Sequence, residues 1–261
     1  MSPNAPIFYD LAHGSCRGLA VSLARLAQQR RFDMHALRAG LLTATLVHRH
    51  QRRSAGGEPY VSHPLNVALL VGRWGGSLDD VLTALLHDTA EDGAGGPRAM
   101  LNQLADQFGE PLSVRVAALT KFTGIADRQE RAHELMQRLV AALARSGPGL
   151  GAVRLADRLH NCVTSAHFDA QRLQRLLADT QRHMVPLAQR LGLPAVAGFL
   201  AAGPGRWHAV AATDFVSSVV AKQPAWLGEG SAGPHGQQSR QGPAMPLPTC
   251  RCARAGATEC R

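Results

Sequence analysis

From about Ser15 to Leu200 apolar residues recur three and four positions apart, and no stretch alternates polar with apolar residues long enough to form a strand. That periodicity restricts the chain to helices packed on helices. It predicts helical segments at 17–30, 35–53, 64–72, 78–92, 97–107, 111–120, 127–145, 151–167, 169–191 and 194–202. Gly- and Pro-rich breaks separate several of them: "SAGGEP" at 54–59, "GGS" at 75–77, "GAGGP" at 93–97 and "SGPGLG" at 146–151. Ala, Leu and Arg dominate while aromatics make up 5% of the chain, which favours helix over sheet. The expected fold class is therefore all-α: a helical bundle over residues 31–202, preceded by one helix in an N-terminal extension, 1–30. Residues 203–261 hold eight Gly and six Pro, and little periodicity beyond "WHAVAATDFVSSVVA" at 207–221. That part reads as a disordered C-terminal tail with one short helix at most.

The formal charge of +9 and a pI near 10.3 imply an anionic partner: a phosphorylated small molecule, a nucleic acid or an anionic surface. Five widely spread cysteines do not form a disulfide framework. The closing "CRCARAGATECR" lacks a fourth ligand for a zinc site. No secretory leader opens the chain and no apolar run approaches the roughly 18 residues of a membrane span, so a soluble cytoplasmic protein without a membrane partner is expected.

One segment departs from the apolar pattern. In "ALLHDTAEDG", at 84–93, an otherwise buried helix ends on His87, Asp88, Glu91 and Asp92. Ser77 suits its N-cap, and Leu78, Val81, Leu82, Leu85 and Leu86 make one apolar face. The polar four fall within an arc of about 140° on the other side. They form either a solvated tip or a metal site. Acids at a helix C-terminus oppose the dipole, a penalty that a nearby cation would reverse. Imidazole with carboxylate suits manganese, iron or zinc better than calcium. A His-Asp pair does not complete a coordination sphere, and two further segments offer donors. His63 precedes Pro64 at a helix start, and Asp157 shares a stripe with Arg154, Asn161 and Thr164 in "AVRLADRLHNCVTSAH".

The blocks "HRHQRRSAGGEPYVSHPLNVA", "ALLHDTAED", "LADQFGEPLSVRVAALTKF", "VRLADRLHN" and "MVPLAQRLGL" occur in that order. Together they resemble the hydrolase domain of the RelA/SpoT alarmone enzymes, a helical member of the HD phosphohydrolase superfamily, from about residue 35 to 200. The resemblance implies an HD-domain helical bundle with one manganese ion. It also implies removal of pyrophosphate from the 3′ position of guanosine tetra- or pentaphosphate. With only 59 residues after Ala202, a hydrolase without a nucleotide-synthesising domain is expected. Carried over by position, the metal ligands are His63, His87, Asp88 and Asp157, and the catalytic acids are Glu91 and Asp92. Arg53 matches an arginine that contacts the nucleotide, and Asn161 and Thr164 match positions beside base and ribose. Three positions depart from the family: Ser54 and Arg154 stand where lysine is usual, and Val163 where arginine is common.

The chemistry agrees with this assignment. A divalent ion brings the pKa of water towards neutrality, and adjacent acids can orient that water or handle its proton. Arginine forks suit phosphate oxygens, so Arg53 with Arg49 and Arg52 could offset substrate charge, against the alternative of a solvated basic loop. His160 is expected to support the site rather than ligate. His48 and His50 are expected to face solvent or their own loop, Lys121 to line a pocket rim or cap a helix end, and Cys162 to pack in the core. Two other readings stay open: the same chemistry on another nucleotide such as NADPH, and a catalytically weak module that binds RNA or protein. The leading reading needs a small-molecule guanosine polyphosphate and no nucleic acid, and is compatible with a homo-oligomer.

Overall fold

The computed structural model describes residues 14–53, 57–121 and 127–209. They form thirteen α-helices: α1 Gly14–Gln29, α2 Met34–Val47, α3 Ser62–Arg73, α4 Leu78–Leu86, α5 Thr89–Asp92, α6 Gly96–Phe108, α7 Glu110–Leu119, α8 Arg128–Ser146, α9 Gly149–Val163, α10 Ala170–Asp179, α11 Val185–Arg190, α12 Pro194–Ala201 and α13 Pro204–Ala209. Among the described residues there is no strand, only an isolated antiparallel bridge between Arg52 and Pro59. None of their helices is long and apolar enough to cross a membrane.

Local chemistry sets the helix ends. Asp33 caps α2 by accepting from the His35 and Ala36 amides, and Ser77 and Asp80 close a reciprocal capping box on α4. Prolines occupy the first turn of α6, α7 and α12, where a missing N–H costs nothing. The centre of the bundle is α3, buried along its length except at Asn66 and Arg73, and packed against α1, α4 and α9. Helix α9 is nearly as enclosed. A side chain at Gly149 would collide with the Asp80 carboxyl, which is also ion-paired with Arg115. Glycine at that position lets α9 start hard against the start of α4, and so brings the Asp157 face of α9 towards the end of α4.

Three expectations need correction. Helix 35–53 ends at Val47, and the chain turns so that Arg52 can bridge back to Pro59. The single helix 78–92 is two, broken at His87 and Asp88, where the Thr89 hydroxyl donates to the Leu86 carbonyl and competes with the helical ladder (2.7 Å). The helix over 169–191 contains a π turn, Thr180–Met184, just before Pro186, whose ring lacks a donor and crowds the preceding turn. The one short helix allowed past 202 is α13, where Trp207 is fully buried and its Nε1 donates to the Phe199 carbonyl at 3.1 Å. The N-terminal helix α1 joins the core through Cys16, Ala20, Leu23 and Ala27. The rest of the tail, 210–261, with Cys250, Cys252 and Cys260, lies outside the described residues, as do Ser54 and residues 1–13.

Candidate metal centre

His63 stands in the first turn of α3, His87 and Asp88 in the break between α4 and α5, and Asp157 in the middle of α9. In an uninterrupted helix, adjacent side chains diverge by about 100°. The break lets His87 and Asp88 converge, with Nε2 and Oδ2 3.2 Å apart. His63 Nε2 is 3.6 Å from Asp88 Oδ2 and 3.3 Å from Asp157 Oδ1, and His87 Nε2 is 3.8 Å from that same oxygen. Donor atoms of His63, His87 and Asp88 all lie within 4.8 Å of one another. His63, His87 and Asp88 thus form a three-donor cluster, and Asp157 Oδ1 approaches its two imidazoles.

Their outer atoms are anchored. His87 Nδ1 lies 2.8 Å from the Ala84 carbonyl, which only accepts, so Nδ1 carries the proton. Neutral His87 therefore presents a lone pair at Nε2, which is buried without a hydrogen-bond partner. His63 Nδ1 meets His160 Nδ1 at 2.9 Å. Asp88 Oδ2 accepts from the Tyr60 hydroxyl at 2.8 Å. Asp157 accepts from Arg154 Nη1 on Oδ2 at 2.9 Å and from Asn161 Nδ2 on Oδ1 at 2.6 Å. Second partners of this kind fix ligand orientation in metal sites.

The electrostatics favour a cation. Burial disfavours charge on Asp88 and Asp157, but the neighbouring imidazoles outweigh it and hold both carboxyls below their usual range. Burial also opposes charge on His87, yet Asp88 overrides it and pushes the imidazole up to about 9. Burial keeps His63 low. The donor set therefore fits a divalent ion: carboxylates ionised, one imidazole neutral, and a second whose proton a cation would displace.

The other expected residues sit around this cluster. Arg53 Nη2 donates to Asn161 Oδ1 at 3.2 Å and to Thr164 Oγ1 at 3.0 Å, bringing three separately predicted positions into one group. Glu91 and Asp92 are held by residues other than the four donors. Glu91 Oε1 accepts from the Lys121 amide at 2.7 Å, with Lys121 Nζ 3.4 Å from Oε2. Asp92 Oδ2 is 3.6 Å from His48 Nδ1. Burial raises both carboxyls, with Lys121 opposing it at Glu91 and His48 at Asp92. Arg49, His50 and Arg52 are exposed, and Arg52 Nη1 donates to the Gly57 carbonyl at 2.8 Å.

His48 turns into its own loop rather than to solvent. It is 1% exposed, bonded through Nδ1 to Gln51 Oε1 at 2.7 Å and packed on Tyr60 with ring centroids 4.8 Å apart. Tyr60 itself was not singled out from the sequence. Its signal was its rarity, one of two tyrosines, and its place three residues before His63. Arg154, which shares its stripe, pairs with Asp157 itself. Cys162 is a fully buried core residue, as expected.

The sequence profile of the HD domain family matches residues 39–194, which span all of these positions. The chain belongs to the HD domain family. A probable GTP pyrophosphokinase of Mycobacterium leprae is 33% identical to this HD domain over 145 residues, 56% of this chain and 18% of that protein. A guanosine-3′,5′-bis(diphosphate) 3′-pyrophosphohydrolase of Aquifex aeolicus is 35% identical over 146 residues, 56% of this chain and 20% of its own length. The bifunctional (p)ppGpp synthase/hydrolase SpoT of Escherichia coli K12 is 29% identical over 182 residues, 67% of this chain and 25% of SpoT. The chain thus spans a quarter or less of the length of these relatives, and the HD domain aligns with RelA/SpoT-type proteins, as its sequence blocks implied.

Proposed function

We propose that this HD domain is a metal-dependent 3′-pyrophosphohydrolase of guanosine tetra- and pentaphosphate. The observation that carries the reading is the convergence of His63, His87 and Asp88, with Asp157 Oδ1 close to both imidazoles. The choice of nucleotide rests on the name of the Aquifex aeolicus relative. Other relatives are named for GTP pyrophosphokinase activity, so turnover by this chain is what needs measuring.

The four donors would hold one divalent ion, assigned as manganese. When bound, that ion supplies the Lewis acidity that makes hydroxide available near neutral pH. Arg53, steadied by Asn161 and Thr164, offers a planar cation to the nucleoside end of the substrate. Water adds to the phosphorus bonded to the ribose O3′, the P–O3′ bond breaks, and the diphosphate leaves with the water oxygen. O3′ takes up one proton and the water gives one away. Glu91 and Asp92, with carboxyls raised by burial, are the groups assigned to orient the water and carry those protons.

The test mixes the whole chain with guanosine tetraphosphate, with and without manganese, and follows GDP and diphosphate. Manganese-dependent turnover that disappears in Asp88→Ala supports the reading. A folded, ion-loaded protein that leaves the substrate intact overturns it, and turnover of NADPH instead would move the same chemistry to another nucleotide.

A further inference from the structure

Beyond Arg154 lies a cleft of about 420 Å³ between Lys121, α8, α9, the end of α10 and the π turn. Its cations are Lys121, Arg131, Arg154 and Arg158, with His183 beside them and Asp179 as the one acid among its lining residues. We infer that this cleft binds the diphosphate produced by the reaction, an inference that rests on the function proposed above.

Two residues belong to both places. Arg154 lines the cleft while its Nη1 holds Asp157 Oδ2 at 2.9 Å, and its Nε is buried without a hydrogen-bond partner. Lys121 lines the cleft while its amide and ammonium hold Glu91. The order along α9 gives the direction. Arg154 comes one turn before Asp157, whereas Asn161 and Thr164, which hold Arg53, come one and two turns after it. A nucleoside at the Arg53 end, with its 3′-phosphorus at the ion ligands, must extend its outer phosphate away from the ribose. Arg154 lies in that direction, and Lys121 lines the same cleft.

The charge in the cleft calls for an anion. Arg158 Nη1 donates to Thr180 Oγ1 at 3.2 Å and to the Leu176 carbonyl at 3.5 Å, both neutral acceptors. Burial and the neighbouring Arg154 both push its guanidinium down. Lys121 and Arg154 are paired with Glu91 and Asp157, yet the four cations still outnumber the three carboxylates around them. Such a partly enclosed surface gains from a ligand carrying several negative oxygens, and arginine forks match phosphate geometry.

Titration calorimetry of inorganic diphosphate into the whole chain, with and without manganese, tests this. Binding is expected to persist without the ion. Arg131→Gln removes a cation and Met136→Glu adds a carboxylate to the cleft wall. Each should weaken diphosphate binding by about tenfold or more. Arg182→Gln, an exposed cation outside the lining, should leave it unchanged. Absence of binding without the ion, or affinities unmoved in both folded cleft variants, would overturn the cleft assignment whatever the hydrolytic activity. Cleft-dependent binding with no turnover of guanosine tetraphosphate would instead overturn the hydrolase reading and leave an anion site.

Discussion

His63 and His160 face each other through their Nδ1 atoms at 2.9 Å, so one proton lies between two rings. Both rings are buried, and burial holds each imidazole below its usual value. If His63 gives its Nε2 lone pair to an ion, its Nδ1 carries the proton and His160 accepts it. His160→Phe keeps the bulk and removes the acceptor. The expected result is a metal affinity lower by about 10- to 100-fold, with a stability loss of about 1–3 kcal/mol from the stranded N–H. Metal titration and denaturant unfolding read these separately, and unchanged metal affinity would remove His160 from the site.

His87 gives the metal site a pH dependence. Its imidazole, pushed up to about 9 by Asp88, is protonated at neutral pH in the ion-free protein. A cation must displace that proton, so acid competes with metal. Apparent affinity should rise by about tenfold per pH unit up to about pH 9 and level off above it. Calorimetry in buffers of different ionisation enthalpy should count close to one proton released per ion at pH 7.5. A pH-independent affinity would place the ion away from His87.

Tyr60 holds Asp88 through its hydroxyl, and burial together with Asp88 keeps the phenol protonated as a donor. Tyr60→Phe should leave the ring packed on His48 and cost about 1 kcal/mol of stability. It should weaken manganese binding, because Asp88 loses the contact that orients it. An affinity equal to wild type would show that α5 alone sets the carboxylate.

Gly149 is a fold prediction independent of the chemistry. A methyl group there meets the Asp80 carboxyl, which is locked between Ser77 and Arg115 and has little room to yield. Gly149→Ala should destabilise by about 2–4 kcal/mol through overpacking and a disturbed buried pair. Thermal unfolding measures this directly, and a loss below about 0.5 kcal/mol would mean that α9 shifts without cost.

The parts of this protein that were legible in its sequence depend on local signals. Apolar spacing marked the helices because each buries a stripe, and the ligand types stood out in α3, α4 and α9 because polar groups interrupt those stripes. The break at His87 was invisible, since Ala84, Leu85, Leu86 and Ala90 keep helical spacing across it while the Thr89 hydroxyl cuts the ladder. His48 looked like part of an exposed basic run because its partners, Tyr60 and Asp92, are brought to it only by the fold.

Trp207 shows the same limit at the other end of the domain. "GPGRW" carries the Gly and Pro of a linker, yet Gly203 takes a positive φ of 78° and starts α13, which seats Trp207 against α9. His208 Nε2 adds a contact to Ser165 Oγ at 3.0 Å, just beyond Thr164. Trp207→Ala removes a fully buried indole and should cost about 3–5 kcal/mol. The loss should be visible as a lower denaturant midpoint with little change in slope. Because α13 packs on the helix that carries Asp157, the folded fraction of the variant should also bind manganese more weakly. Wild-type stability in Trp207→Ala would return the domain boundary to residue 202.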